Sequence, residues 1–379
     1  GYIMSKAAEL ANLIGNINAG GGGANRNFLI NGSANVAQRA TSKTGIGATS
    51  GYFTCDRWKI TTGNTAGELT MTQDSSAPSG TGLANSIKLD CTNADGSIAA
   101  DELTIIGQSI EGQNLQTIKK GTSSAVPVTA SFYAKANASA TYVAELFDHG
   151  NTRNNTRAFT VGTDWARVEL TFIADTTGTI ADDNGFGLTF QIWLHAGATY
   201  SGGTFSDNTW QSVTAANRYA GSRTSFFDST DRELFLTGLQ LEVGQNATEF
   251  EHEPFERTLT KCYRYTQRLP HFDNTAGSGY AAICTVGRND STVQNASAAM
   301  LPVPMREDPA IESQSGNFRI HHANTGTALS ASIATDDNIA TSGMIHLLGT
   351  VSSGLTAGDG GQLQQNNDVD AHLIIEAEL

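Results

Sequence analysis

Leu234-Phe235-Leu236-Thr237-Gly238-Leu239-Gln240-Leu241-Glu242-Val243 is the stretch on which the fold turns. Successive side chains of a strand point to opposite faces, so Leu239, Leu241 and Val243 share one face while Gln240 and Glu242 share the other. Working outward, the same two-residue period recurs at 57–60, 69–72, 86–89, 128–134, 142–146, 167–172 and 187–194, with polar turns between. Eight or more antiparallel strands between 27 and 253 predict one large two-sheet jelly-roll sandwich.

Composition agrees. Glycine occurs 40 times in 379 residues and only 16% of residues are charged. Sparse helix formers among many Gly, Ser, Thr and Asn suit short strands and turns. The net charge of −14 leaves no clustered cationic field for phosphate tracking, which argues against a nucleic-acid partner. Cys55, Cys91, Cys262 and Cys284 form no CxxC pair and read as free thiols, with a Cys55–Cys91 bridge as the alternative. No stretch is long and apolar enough to cross a bilayer, so membrane insertion is not expected. The first residues also lack the apolar core of a signal peptide.

The expected organisation has three parts. Residues 1–24 form a short helix and a glycine hinge. Ser5 caps the helix, and Leu10, Leu13, Ile14 and Ile17 make its apolar stripe. So short a helix needs a partner, and a frayed tail is the alternative. Gly20-Gly21-Gly22-Gly23 follows without the Lys-Ser/Thr of a phosphate loop. Residues 25–253 form the jelly roll. Residues 254–379 hold a connector, with Arg257, Lys261, Arg264 and Arg268 as solvated cations, and a smaller C-terminal β-sandwich. Strands are predicted there at 280–286, 298–304, 318–321, 328–333, 344–348 and 372–377, with Pro302 and Pro304 at a strand end.

Three stretches resemble a family of phage tail-fibre and virion structural proteins. They are Asn25–Gly32 with Val36–Arg39 and Asp56-Arg57-Trp58; Gly238–Gly244 with Phe250-Glu251-His252 and Pro254-Phe255; and Cys262-Tyr263-Arg264-Tyr265 with Pro304–Pro309. The body is also similar to jelly-roll carbohydrate-binding modules at Asn27–Gly32, Ser131–Lys135 and Trp165–Phe172. The resemblance implies a virion location reached from the bacterial cytoplasm, a homotrimer, other virion proteins as partners, and host-surface polysaccharide as ligand. Leu10, Leu13, Ile14 and Ile17 would then anchor the chain to the particle. It admits a structural Ca²⁺, with Glu242 on the closing strand but no full ligand set, and no other cofactor.

Sugar recognition calls for aromatic faces beside amides and charged groups. The long, weakly periodic segment 196–233 supplies Tyr200, Trp210 and Tyr219 with Asn208, Gln211, Asn217 and Arg223. Packing beneath the loop is the competing role for those rings. Trp58, Phe132, Trp165 and Trp193 are assigned to the core. No catalytic constellation is legible: Asp182-Asp183-Asn184-Gly185 reads as a hairpin turn, and no GxSxG or HExxH occurs. The sequence therefore predicts a non-catalytic structural and recognition protein. A purely architectural capsid or decoration protein is the second reading, and a polysaccharide depolymerase the third.

Overall fold

The computed structural model describes residues 6–8, 10–11, 14, 25–271, 279–335 and 341–379. Its first unit runs in chain order through β1 (Ser42–Ile46), β2 (Gly51–Tyr52), β3 (Lys59–Gly63), β4 (Glu68–Asp74), β5 (Ser86–Asn93), β6 (Leu103–Glu111), β7 (Val128–Ala136), β8 (Ala140–Asp148), β9 (Arg153–Val161), β10 (Ala166–Phe172), β11 (Phe186–Ala196), β12 (Gln211–Ser212) and β13 (Glu233–Val243). These strands form two sheets, ordered β1-β4-β5-β13-β7-β10 and β12-β9-β8-β11-β6-β3-β2, with antiparallel neighbours throughout. The chain is nearly all-β, and this part is a jelly-roll sandwich.

Alternation supplies the core between the sheets. Ile87, Leu89, Phe132, Leu234, Leu236, Leu239 and Leu241 come from one sheet; Ile60, Ile106, Tyr142, Leu146, Leu188, Phe190 and Ile192 come from the other, all buried. Phe132 meets Phe159 edge-on at 5.2 Å between centroids. The other face of β13 is buried too. Gln240 and Glu242 lie under the segments 25–27 and 248–251, where Gln240 Nε2 donates to Glu242 Oε1 at 2.8 Å and Glu251 N donates to Gln240 Oε1 at 2.8 Å.

The opening motif closes the sandwich through its amides. Asn27 Oδ1 accepts from Leu241 N at 3.0 Å while its Nδ2 donates to Leu239 O at 3.1 Å. Asn31, at φ +58°, donates to Val36 O and Asp56 O and accepts from Val36 N. Gly32 passes so close to β13 that a Cβ would lie 2.0 Å from Leu239 O, so no larger residue fits.

The chain divides into two compact units, Gly1–Thr258 with Leu379, and Leu259–Glu378; the division falls inside the helix Phe255–Tyr263. The second unit holds β14 (Thr266–Leu269), β15 (Gly287–Asn289), β16 (Gln294–Met300), β17 (Ala310–Ser315), β18 (Phe318–His322), β19 (Thr325–Ala328), β20 (Ala334–Thr335), β21 (Met344–Thr350), β22 (Gly360–Gln365) and β23 (His372–Glu376). Its sheets are ordered β14-β23-β17 and β19-β18-β22-β15-β16-β21-β20, around a core that includes Leu269, Phe318, Ile320, Leu347, Leu363 and Leu373.

Several expectations need correction. The strand expected at 280–286 is an irregular segment that bridges β22 only at Ala282 and Gln364, because its backbone serves to drop Ile283 into the core. The strand expected at 298–304 stops at Met300, ahead of Pro302 and Pro304, which have no N–H to continue it. The connector contains a helix rather than only a linker. Trp165, assigned to the core, is half-buried before β10, with its ring against Phe235 and Lys135 Nζ 5.3 Å from its centroid. Of the N-terminal helix, residues 6–8, 10, 11 and 14 are helical and Leu10 and Ile14 are exposed; Leu13, Ile17 and the glycine run fall outside the described residues.

Candidate functional site

The face of the seven-stranded sheet turned away from the core is built in rows. One row is Lys59, Gly107, Gln191, Glu145 and Thr156, taken across β3, β6, β11, β8 and β9. Beside it run Ser109, Thr189, Phe147 and Asn154, and on the other side Thr61, Ile105, Trp193, Val143 and Ala158. Alternation sets these residues in the phase opposite to the core side chains Leu188, Phe190 and Ile192. Gly107, itself buried, lets β11 approach closely: a Cβ there would sit 2.8 Å from Gln191 Cβ and 2.9 Å from Phe190 O.

Glu145 organises the face. It is fully buried and accepts from Asn154 Nδ2 at 2.6 Å, Trp193 Nε1 at 2.6 Å, Gln191 Nε2, and both Nε and Nη2 of Arg218 at 3.0 and 2.8 Å. Buried charge is tolerated only when paired and hydrogen-bonded in this way. The Arg218 guanidinium also covers Trp193 and Phe147, with Cζ 4.6 and 4.9 Å from their centroids. At the other end of the face the cover ends. There Phe147 meets the His149 ring at 4.7 Å, and His149 meets Phe186, 48% exposed, also at 4.7 Å. His149 Nε2 bonds Thr189 Oγ1 at 2.7 Å, which in turn bonds Ser109 Oγ at 2.8 Å. Desolvation holds the His149 imidazole below its ordinary range; Arg218 and Lys59 add to this, while Asp148 and Glu145 oppose it. The result is a strip of aromatic faces bordered by a hydroxyl pair, the Gln191 amide and two cations, chemistry suited to a polyhydroxylated ligand.

The sequence-derived candidates fall into separate groups: Tyr200 and Tyr219 meet on Trp193, while Trp210 and Asn208 meet on Ile173. Tyr219 is 3% exposed, stacks on Trp193 and donates its hydroxyl to Thr224 O at 2.7 Å. It therefore packs beneath the loop and offers no ring face to solvent. Tyr200 is half-buried against Trp193, 5.4 Å between centroids. Trp193 belongs to the core, as assigned, and is fully buried beneath these rings. Trp210 donates Nε1 to Ile173 O at 2.7 Å, and Asn208 Oδ1 accepts from Ile173 N at 3.0 Å. Gln211 pairs with Asn154 at the sheet edge. Asn217 accepts from Thr204 N. Tyr219 and Arg223 line a common cavity. Lys59, Phe147, His149, Phe186, Gln191 and Arg218 were missed. Of these, Lys59 and Gln191 lie on the polar phase of strands read from the sequence, 57–60 and 187–194; the others sit at strand ends or in other segments.

Several carboxylates of this unit are already occupied. Glu242 accepts from Gln240, Thr248 N and Thr248 Oγ1, with Arg26 Nε 3.7 Å away, so its surroundings suit an anion and do not fit Ca²⁺. Asp183 Oδ1 accepts from Gly185 N in a turn, Asp228 pairs with Arg232, and Glu233 pairs with Lys88. One group of three metal-capable side chains, Asp95, Glu102 and His195, comes together among the described residues. His195 Nε2 faces Glu102 Oε2 at 3.0 Å and Nδ1 faces Ser225 Oγ at 2.7 Å. The order carboxylate–imidazole–hydroxyl is that of nucleophilic hydrolases. Here the imidazole is fully buried against Phe227, and the chain of bonds ties the loop at Ser225 to Glu102.

No protein-family model and no curated protein matches the chain. Among solved structures it is similar to the enzymatically active domain of bacteriophage CBA120 tailspike protein 4, at 12% identity and TM-score 0.27 over 57% of this chain and 21% of that one. It is similar to a family 11 carbohydrate-binding module from Clostridium thermocellum bound to a mixed-linked tetrasaccharide, at 11% identity and TM-score 0.26 over 56% of this chain and 99% of that one. A family 61 module bound to β-1,4-galactotriose aligns at 11% identity and TM-score 0.26, over 57% of this chain and 99% of that one.

Proposed function

We propose that this chain is a non-catalytic glycan-recognition protein that binds sugar on the open face of the seven-stranded sheet. The observation that carries the proposal is the contiguous strip Phe147–His149–Phe186 beside Gln191, Ser109 and Thr189. Pyranose rings stack on such faces through their C–H surfaces while amides and hydroxyls pair with sugar hydroxyls.

The chain is further proposed to serve on a bacteriophage particle, as a homotrimeric tail fibre or surface appendage beside other virion proteins. That part is supported by the resemblance of its framework stretches alone. Light scattering after size exclusion tests the trimer; a mass three times 39.9 kDa is expected, and a monomer overturns it.

Affinity electrophoresis through gels cast with bacterial surface polysaccharides tests the glycan proposal. Retardation that is lost in Phe186→Ala and Phe147→Ala, with folding unchanged, is the expected result. Absence of retardation across the panel would leave an architectural protein.

A further inference from the structure

Beyond Trp193, β11 ends at Ala196 in the wall of a cavity of about 130 Å³, which Ile98, Ser201, Tyr219, Gly221, Arg223 and Ser225 complete. Arg223 is its one lining cation. The guanidinium lies over the Phe205 ring, Cζ 4.4 Å from the centroid, and Nη1 donates to Ser222 O at 3.2 Å. Its buried Nε meets no acceptor, and Arg223 has no ion pair among the described residues. Asp207, a carboxylate whose charge reaches it, lies 3.3 Å from Arg157 Nε. Arg153, Arg218 and Arg232, by contrast, each hold a carboxylate with two prongs. Burial pushes the Arg223 guanidinium below its ordinary pKa, as expected for a cation whose desolvation is not offset. Gly221, at φ +91°, keeps the approach open: even a Cβ there would come no closer than 3.6 Å to Arg223 Nη2.

We propose that this cavity is a subsite for the carboxylate of an acidic sugar, so that the glycan taken by the protein contains uronate or a similar sugar acid. The proposal rests on the glycan-binding reading of the open face. A planar carboxylate matches a guanidinium fork and balances one positive charge. A phosphate would ask for more than the single cation present. Exposed Ile98 offers an apolar edge for the sugar's C–H surface. The strip and the cavity lie at the two ends of β11, Phe186 and Ala196 being ten residues apart, roughly 33 Å by strand rise, so a ligand that touches both is a long oligosaccharide.

Isothermal titration with oligomers of galacturonate, mannuronate and glucuronate-containing hyaluronan tests this, each beside its carboxyl-reduced form and a sulfated galactan. At least one uronate should bind about ten- to a hundredfold more tightly than its reduced form. Arg223→Gln should abolish that preference by weakening the acidic form more than the reduced one, while Arg223→Lys retains part of it. Thermal melts confirm that both variants fold. Equal binding of acidic and reduced forms, a preference that survives Arg223→Gln, or tighter binding of the sulfated galactan would overturn the subsite while the open-face reading stands. If no oligomer binds, the subsite is overturned, and the open-face reading falls with it only when affinity electrophoresis also shows no retardation.

Discussion

Arg218 holds Glu145 with both prongs of its guanidinium, Nε to Oε1 at 3.0 Å and Nη2 to Oε2 at 2.8 Å, on a carboxylate with no exposure. The pair joins the segment after β12 to the middle of β8, and it turns the outer face of the sheet into an ordered surface. A rigid polar network of this kind presents ligand groups without having to order them on binding.

Breaking the pair from one side should be costly. Arg218→Met leaves Glu145 buried with its neutral donors only, and the expected loss is about 3–5 kcal/mol. Glu145→Gln in the same chain should recover part of it, because the remaining amide is uncharged. Chemical denaturation of the single and double variants measures both. A single-variant loss under about 1 kcal/mol would mean that water reaches the carboxylate, as at an exposed pair.

Gly107 allows a test by obstruction. Gly107→Val places methyl groups where a Cβ alone already comes within 2.8 Å of Gln191 Cβ. Overpacking of this kind costs about 1–3 kcal/mol. The folded fraction should lose glycan binding, since the bulk pushes Gln191 out of its place beside the strip. Retained affinity in a folded Gly107→Val protein would move the ligand elsewhere.

The pH dependence has a definite sign. His149 has its folded pKa below the ordinary value of 6.5, so the unfolded chain binds the proton more readily. Its contribution to stability is present above 6.5 and falls as pH drops from 6.5 toward the folded pKa. His149→Asn should flatten the stability profile in that window, read from thermal midpoints at a series of pH values. An unchanged slope would show that another group titrates there.

The strands were legible because burial on one side imposes the two-residue period. Leu239, Leu241 and Val243 are buried in the phase read from the sequence, and the amides of Asn27 and Asn31 sit where a closing motif requires them. The site was harder to read. Tyr219 and Trp193 look alike as isolated aromatics, yet their surroundings come from segments distant in sequence: Arg218 and Tyr200 over Trp193, and Glu145 beneath Arg218. A loop position leaves both ligand contact and packing beneath the loop open, and for Tyr219 the segment 196–233 folds the ring down onto Trp193. Phe147 and His149 straddle the end of β8, where alternation gives no warning that the strip remains open.

The thiols provide a check on the core that needs no ligand. Cys55, Cys91 and Cys262 are buried and Cys284 is half-buried, all free. Burial pushes the Cys55 thiol up to about 12, so the nucleophilic thiolate is scarce at neutral pH even when a reagent arrives. A disulfide-exchange reagent at pH 8 should therefore modify Cys284 first and slowly, and reach the other three only on unfolding. Cys284 gains no reactivity from its partial exposure, because desolvation raises its pKa as well. Peptide mapping after brief labelling identifies the modified residue. Rapid labelling of Cys55 in the native protein would mean that the loop before β3 opens, and with it the seat of Trp58, whose Nε1 donates to Asn31 O at 3.2 Å. That opening would also release the Asn31 side chain from Asp56 O, so labelling at Cys55 should track loss of the clamp that holds the opening segment.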